Sequence, residues 1–146
     1  MAAITPGTDI VIQGYLGMQL VQKLCELYEV PVRKVEISRL LELISRRVIK
    51  TLPLVMAVVG NGLKAFPGIG TLTGGIVHAV AYGVIFDSLG KAVSDTLATR
   101  GTLASAPALR SFEDALSEDL EARARSLAKL AISQLGHARR RDEPQG

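Results

Sequence analysis

The chain has 146 residues, 48% hydrophobic, 4% aromatic and 21% charged, with no Trp and a formal net charge of +3. That is too apolar for a disordered chain, long enough for a core that folds without staples, and too short for a TIM barrel or a dinucleotide-binding fold with a substrate domain. Cys25 is the single cysteine and His78 and His137 are the two histidines, which excludes an internal disulfide and leaves a Cys/His zinc site short of ligands.

The charge is unevenly placed. Residues 1–50 carry seven Lys/Arg against five Asp/Glu, residues 51–86 carry only Lys64, and residues 87–146 carry nine of each sign. Nucleic-acid binding needs a concentrated basic face with stacking aromatics, and neither is visible, so no nucleic-acid partner is expected. The first residues lack the basic and apolar regions of an export signal, and with a single thiol this points to a cytosol-facing location.

Residues 1–8 read as an irregular lead with Pro6-Gly7 as a breaker. Thr8 or Asp9 then offers a side-chain oxygen to the free N–H groups of a first turn. The helix that follows is expected over residues 10–29, stopping before Pro31. Leu16, Leu20, Leu24 and Leu27, with Val21 and Tyr28, recur at three and four residues and form its buried stripe. Cys25 lies beside that stripe and reads as a packing residue. A second helix over 33–50 has Ile37, Leu40, Leu41, Leu43, Ile44 and Val48 on its apolar face. Its last turn is strongly basic, which suits a helix C-terminus.

Residues 51–86 are nearly free of charge. Pro67-Gly68, with Gly70, marks a turn that divides them into two halves, and Asn61 and Lys64 are placed to solvate its tip. At 1.5 Å per residue the halves reach about 20 and 24 Å, short of the roughly 30 Å hydrocarbon core of a bilayer. A helical hairpin describes them better than two spans. Gly70 and Gly74, then Gly75, Ala79 and Gly83, form small-residue ladders that let helix backbones approach closely. Gly74, Gly75, Ala79 and Gly83 are therefore the expected helix-packing positions, and a charge introduced at Gly75 or Ala79 is expected to disrupt a membrane-docked or a buried hairpin alike.

A helix continues past Asp87 and is expected to end at Gly101. Residues 104–109, with Pro107, read as a linker. Ser111 and Asp114 resemble a capping box that opens a last helix, acidic in its first turns and basic in its last. Phe112, Leu116, Leu120, Leu127, Leu130 and Leu135 supply the stripe of this helix, and the tail from Arg139 is expected to fray. The organisation is thus a helical domain over 1–103, with the hairpin at 51–86, followed by a linker, an amphipathic helix and a short disordered tail over 104–146.

The motif Gly60-Asn-Gly-Leu-Lys-Ala65 matches the glycine pattern of a dinucleotide turn, but Pro67-Gly68 follows within one turn and no βαβ unit fits around it. No Lys-Ser/Thr pair completes a phosphate loop at Gly68-Ile-Gly70. Nucleotide cofactors are therefore not expected, and neither a catalytic set nor a metal site stands out. His78 and Tyr82 share a face of the most apolar helix and are the candidate buried polar site, the imidazole satisfied by a carbonyl or by Tyr82. Arg33, Lys34, Arg46, Arg47 and Lys50, next to the apolar hairpin, are candidate contacts for anionic headgroups. They would keep both hairpin ends on the cytoplasmic side.

Three segments carry a family resemblance: Met18-Gln-Leu-Val-Gln-Lys-Leu-Cys-Glu-Leu-Tyr-Glu-Val-Pro31, Gly60-Asn-Gly-Leu-Lys-Ala-Phe-Pro-Gly-Ile-Gly-Thr71 and His78-Ala-Val-Ala-Tyr-Gly83. Together they resemble a bacterial domain of unknown function that follows Era-type small GTPase domains. The same segments are similar to the C-terminal part of YcjF-type inner-membrane proteins. The resemblance covers residues 10–93, and its most specific part is the Pro-Gly-x-Gly-Thr turn between small-residue helices. The family often has Gly after the Tyr that ends the first helix; here Glu29 stands there, and the GTPase domain is lacking. The resemblance implies a helical, membrane-associated module through which a GTPase acts, with no catalytic residue to carry over.

The expected fold is all-α, a helical bundle with a central Gly-rich hydrophobic hairpin and a C-terminal amphipathic helix. The expected function is non-enzymatic membrane association at the cytoplasmic face of a bacterial inner membrane, without a cofactor, in partnership with lipid and a GTPase. The alternative is a soluble, cytoplasmic homo-oligomer that buries the hairpin at a subunit or GTPase interface.

Overall fold

The computed structural model describes residues 6–64 and 74–142, with side chains over 14–64 and 75–134 and at Arg141. It is an all-α helical bundle. The helices are α1 (Pro6–Leu27), α2 (Lys34–Leu63), α3 (Gly74–Arg100), α4 (Ser105–Ser117) and α5 (Leu120–Asp142). The described residues contain no strand. They divide into two compact units: Met1–Ile49 with Phe86–Leu116, called unit 1, and Lys50–Ile85 with Ser117–Gly146, called unit 2. Each of α2 and α3 gives one part to unit 1 and the other to unit 2.

Helix α1 begins at Pro6, earlier than expected. Proline is favoured in the first turn, where its missing N–H would have had no helical partner, so it starts this helix instead of breaking it. The end of α1 is a Schellman motif: Val30 N–H donates to Cys25 O at 2.9 Å and Glu29 N–H to Glu26 O at 3.1 Å. Glu29 takes the left-handed conformation the motif requires, with φ 56°. The buried line of α1 is Gly17, Val21 and Cys25, turned by about one residue from the leucine stripe. Leu16 and Leu27 are 46% and 77% exposed. Gly17 accounts for the turn, because a Cβ there would lie only 3.3 Å from a Leu41 methyl. The helix therefore packs along its smallest side chain and its leucines rotate outward.

Helix α2 opens on half of a capping box. Glu36 accepts from the Arg33 N–H at 3.3 Å and from the Arg33 guanidinium at 3.2 Å. It then runs through Lys50 and Pro53 without a break, joining two helices that were expected to be separate. Pro53 removes the bond to the Ile49 carbonyl. Both residues lie on the exposed face of the helix, where water can take that carbonyl. In unit 1, Ile37, Leu40 and Ile44 of α2 are buried, as are Leu89, Ala92, Val93 and Leu97 of α3 and Phe112 of α4. Thr96, buried among them, donates its hydroxyl to Ala92 O at 2.8 Å.

Gly101 ends α3 as expected, with φ 68° and its N–H on Leu97 O at 2.9 Å. The expected linker at 104–109 is instead the start of α4. Pro107 falls within its first turn, where the missing N–H costs nothing. Ser111 is consequently mid-helix and is no cap; its hydroxyl donates to Asp95 at 3.2 Å. The single last helix is in fact two, divided at Glu118-Asp119, with Asp119 at φ 45°. Asp tolerates that conformation better than most residues, so no Gly or Pro marked the division. Helix α5 continues through Arg139–141 to Asp142, where fraying was expected.

Candidate functional site: the uncharged face of unit 2

Unit 2 is built on the second part of α2, the first part of α3, and α5. Its core is Val55, Val59 and Leu63 of α2, Val80, Ala81, Val84 and Ile85 of α3, and Ala124 and Ala128 of α5. The hairpin turn assigned to Pro67, Gly68 and Gly70 lies outside the described residues.

The glycines show how α5 is seated. A Cβ on Gly83 would lie 3.3 Å from Leu127 Cδ1, so α5 presses directly on the α3 backbone there. Gly62 is buried, and a Cβ on it would touch the side-chain stems of Glu121 and Arg125 at 4.0 Å. Close approach at Gly83 is thus part of the fold, and Gly62, which the ladder pattern missed, is a second small position under α5. Gly75 and Ala79 are different. Both are exposed, and a charge at Ala79 need not break the fold. Gly74 opens α3, and its surroundings lie outside the described residues.

His78 is also exposed, which corrects its reading as a buried polar site. It stacks on the half-buried Tyr82 one turn later, with centroids 6.0 Å apart and planes at 22°. The period of the helix places 75, 78, 79 and 82 on one side, and the core takes 80, 81, 84 and 85.

The exposed positions of the two hairpin helices are therefore notable for what occupies them. They are Pro53, Leu54, Ala57 and Asn61 on α2, and Gly75, His78 and Ala79 on α3, with Lys64 the one charge beyond Lys50. Leu54 is 65% exposed. An outward surface of this kind, with Lys64 at its end as its one formal charge, differs from the ordinary solvated face of a helix. By length and composition, Gly75–Arg100 is also the one described helix able to cross a membrane. Its most apolar 18-residue window has a mean hydropathy of 1.4, yet 44% of that window is buried inside the protein, a property shared with the core helices of soluble proteins.

Part of the basic set at and around α2 is matched. Arg33 pairs with Glu36, Arg46 with Glu42 at 2.7 Å, and Arg47 with Glu113 of α4 at 2.8 Å. Lys34 and Lys50 are exposed. Such exposed pairs exchange partners at little cost.

A second feature belongs to unit 1. A cavity of about 260 Å³ lies between the end of α3 and α4, lined by Asp95, Thr99, Arg100, Arg110, Ser111 and Asp114 among others. Two carboxylates offset two guanidiniums, and Asp95 already accepts from Ser111. Sequence spacing gave no sign of it, since residues 95–100 and 107–114 belong to different helices. No group of three or more His, Cys, Asp or Glu able to hold a metal occurs among the described residues. Comparison with protein-family models, with characterised proteins and with solved structures yields no match to this chain.

Proposed function

We propose that this chain is a non-enzymatic helical module that lies at the cytoplasmic face of a bacterial inner membrane and acts there with a GTPase. The observation that carries the reading is the uncharged outward surface of the α2 and α3 parts of unit 2, where Leu54, Ala57, Gly75 and Ala79 stand at solvent-exposed positions. Apolar surface left outside a core is stabilised by transfer to a less polar medium, and acyl chains near the headgroups supply one. The likeness to GTPase-linked domains supports the choice of partner and compartment. The experiment is a carbonate wash of the membrane fraction from expressing cells, joined to flotation of purified protein with liposomes. Retention in the washed membrane and co-flotation support the reading; full recovery in the soluble fraction with no liposome binding defeats it.

A second reading has its own support. The 44% burial of the long apolar stretch of α3 suits a soluble bundle. Leu16 and Leu27, exposed on α1, are of the kind that a second subunit or a GTPase would cover. Light scattering without detergent separates the two readings, since a monodisperse oligomer favours this one.

A further inference from the structure

We infer that the outward face of α5 is an anion-binding surface that takes the phosphate headgroups of anionic phospholipids. This rests on the membrane reading above and names the lipid class and the residues that recognise it.

The net charge of the chain lies in one unit. Unit 1 has nine basic and nine acidic side chains, whereas unit 2 has eight basic against five acidic. Within unit 2 the excess is concentrated further. Between Glu121 and Asp142 helix α5 carries six basic residues and no carboxylate. Arg123 is turned inward, donating to Val84 O at 3.3 Å and Glu118 O at 3.2 Å. Arg125, Lys129 and Arg141 are exposed, and among the described residues Arg125 pairs with the exposed Glu121. Helical spacing sets Ala122, Arg125, Ser126, Lys129 and Ser133 along one outward arc, all of them exposed. Leu130, at the edge of that arc, is 58% exposed.

Charge decides the occupant. A basic arc without carboxylates attracts an anionic surface, and an exposed leucine beside it gains from contact with acyl chains. Helix α5 has no Phe, Tyr or Trp on which a base could stack, which disfavours single-stranded nucleic acid. The basic end of α2 is the competing candidate, but Arg46 and Arg47 there pair with Glu42 and Glu113 in unit 1, whose charges balance. The net positive charge of unit 2 therefore favours α5 over α2 as the recognition surface.

The test uses the full chain and two kinds of vesicle, phosphatidylcholine alone and phosphatidylcholine with 30% phosphatidylglycerol, at about 0.1 and 0.5 M salt. Each neutralised Lys or Arg near an anionic surface weakens binding roughly fivefold. The expected result is a preference for the anionic vesicles that fades at high salt. The R125Q/K129Q/R141Q variant should lose at least tenfold of it, while K34Q/R46Q/K50Q stays within about twofold of wild type. Circular dichroism confirms that each variant is folded, and the single K129Q substitution gives the same direction if the triple variant is not. Equal binding to both vesicles overturns this inference and leaves the membrane reading standing. Binding to neither overturns both. A lipid preference that survives in the α5 variant and vanishes in the α2 variant overturns the assignment to α5. Tighter binding to an RNA oligonucleotide than to the anionic vesicles overturns the choice of lipid.

Discussion

The Arg123 guanidinium on α5 donates to the backbone carbonyl of Val84, midway along α3, at 3.3 Å. The same side chain reaches the Glu118 carbonyl at 3.2 Å, so one residue fixes both the start of α5 and its seat on the α3 backbone. The bond to Val84 is partly buried, where a charged donor is worth more than at the surface. Arg123→Ala is expected to destabilise the fold by about 1.5–3 kcal/mol in urea unfolding. Arg123→Lys should recover only part, because a compact ammonium on a flexible stem lacks the fork that serves two acceptors.

Among the left-handed residues at helix ends, Glu29 and Gly101 differ most in how well they suit that conformation. Glu29 at φ 56° carries a side chain where glycine is easiest, whereas Gly101 at φ 68° meets the same demand freely. Glu29→Gly should raise stability, and Gly101→Ala should lower it, each by about 1 kcal/mol. Thermal melting of the two variants checks the opposite signs.

Small residues on α3 divide into those that admit α5 and those that face outward. Gly83→Leu drives a side chain into Leu127, only 3.3 Å from the position of a Cβ, and should cost about 1–3 kcal/mol. Ala79→Leu, at an exposed position, should leave the melting temperature nearly unchanged. Equal losses in the two variants would show that Ala79 also packs within the fold.

The Cys25 thiol is buried, and its pKa is raised, first by burial and then by the nearby Glu36 charge. The folded chain therefore keeps this proton at a pH where the unfolded chain releases it. That contribution to stability is complete below the ordinary thiol range and is lost as pH rises through the raised value. Reaction with a disulfide reagent at mildly alkaline pH should be much slower for native protein than for urea-unfolded protein.

Helix periodicity carried the all-α fold, and Gly101 carried the end of α3, because both are written locally. The face of α1 was not, since it depends on Gly17 meeting Leu41 across two helices. Pro107 reads as part of a linker, yet a first turn tolerates proline, and α2 runs on past the basic turn at Lys50 with Pro53 at an exposed mid-helix site. The division at Asp119 left no trace because a left-handed Asp needs no special neighbour. For the candidate site, the uncharged character of residues 51–86 was legible in composition. Which positions face outward was not, because helix α3 is apolar nearly all round and only the seat of α5 decides its core side.

The outer face of unit 2 can be charged without touching its core, since Ala57 and Ala79 are both exposed. Liposome flotation of wild type and of A57D/A79D, with their melting temperatures, tests the membrane claim most directly. The account predicts that wild type floats with the vesicles, while the variant, equally stable, stays at the bottom. Wild type that stays at the bottom, or a folded variant that floats as well as wild type, would contradict it.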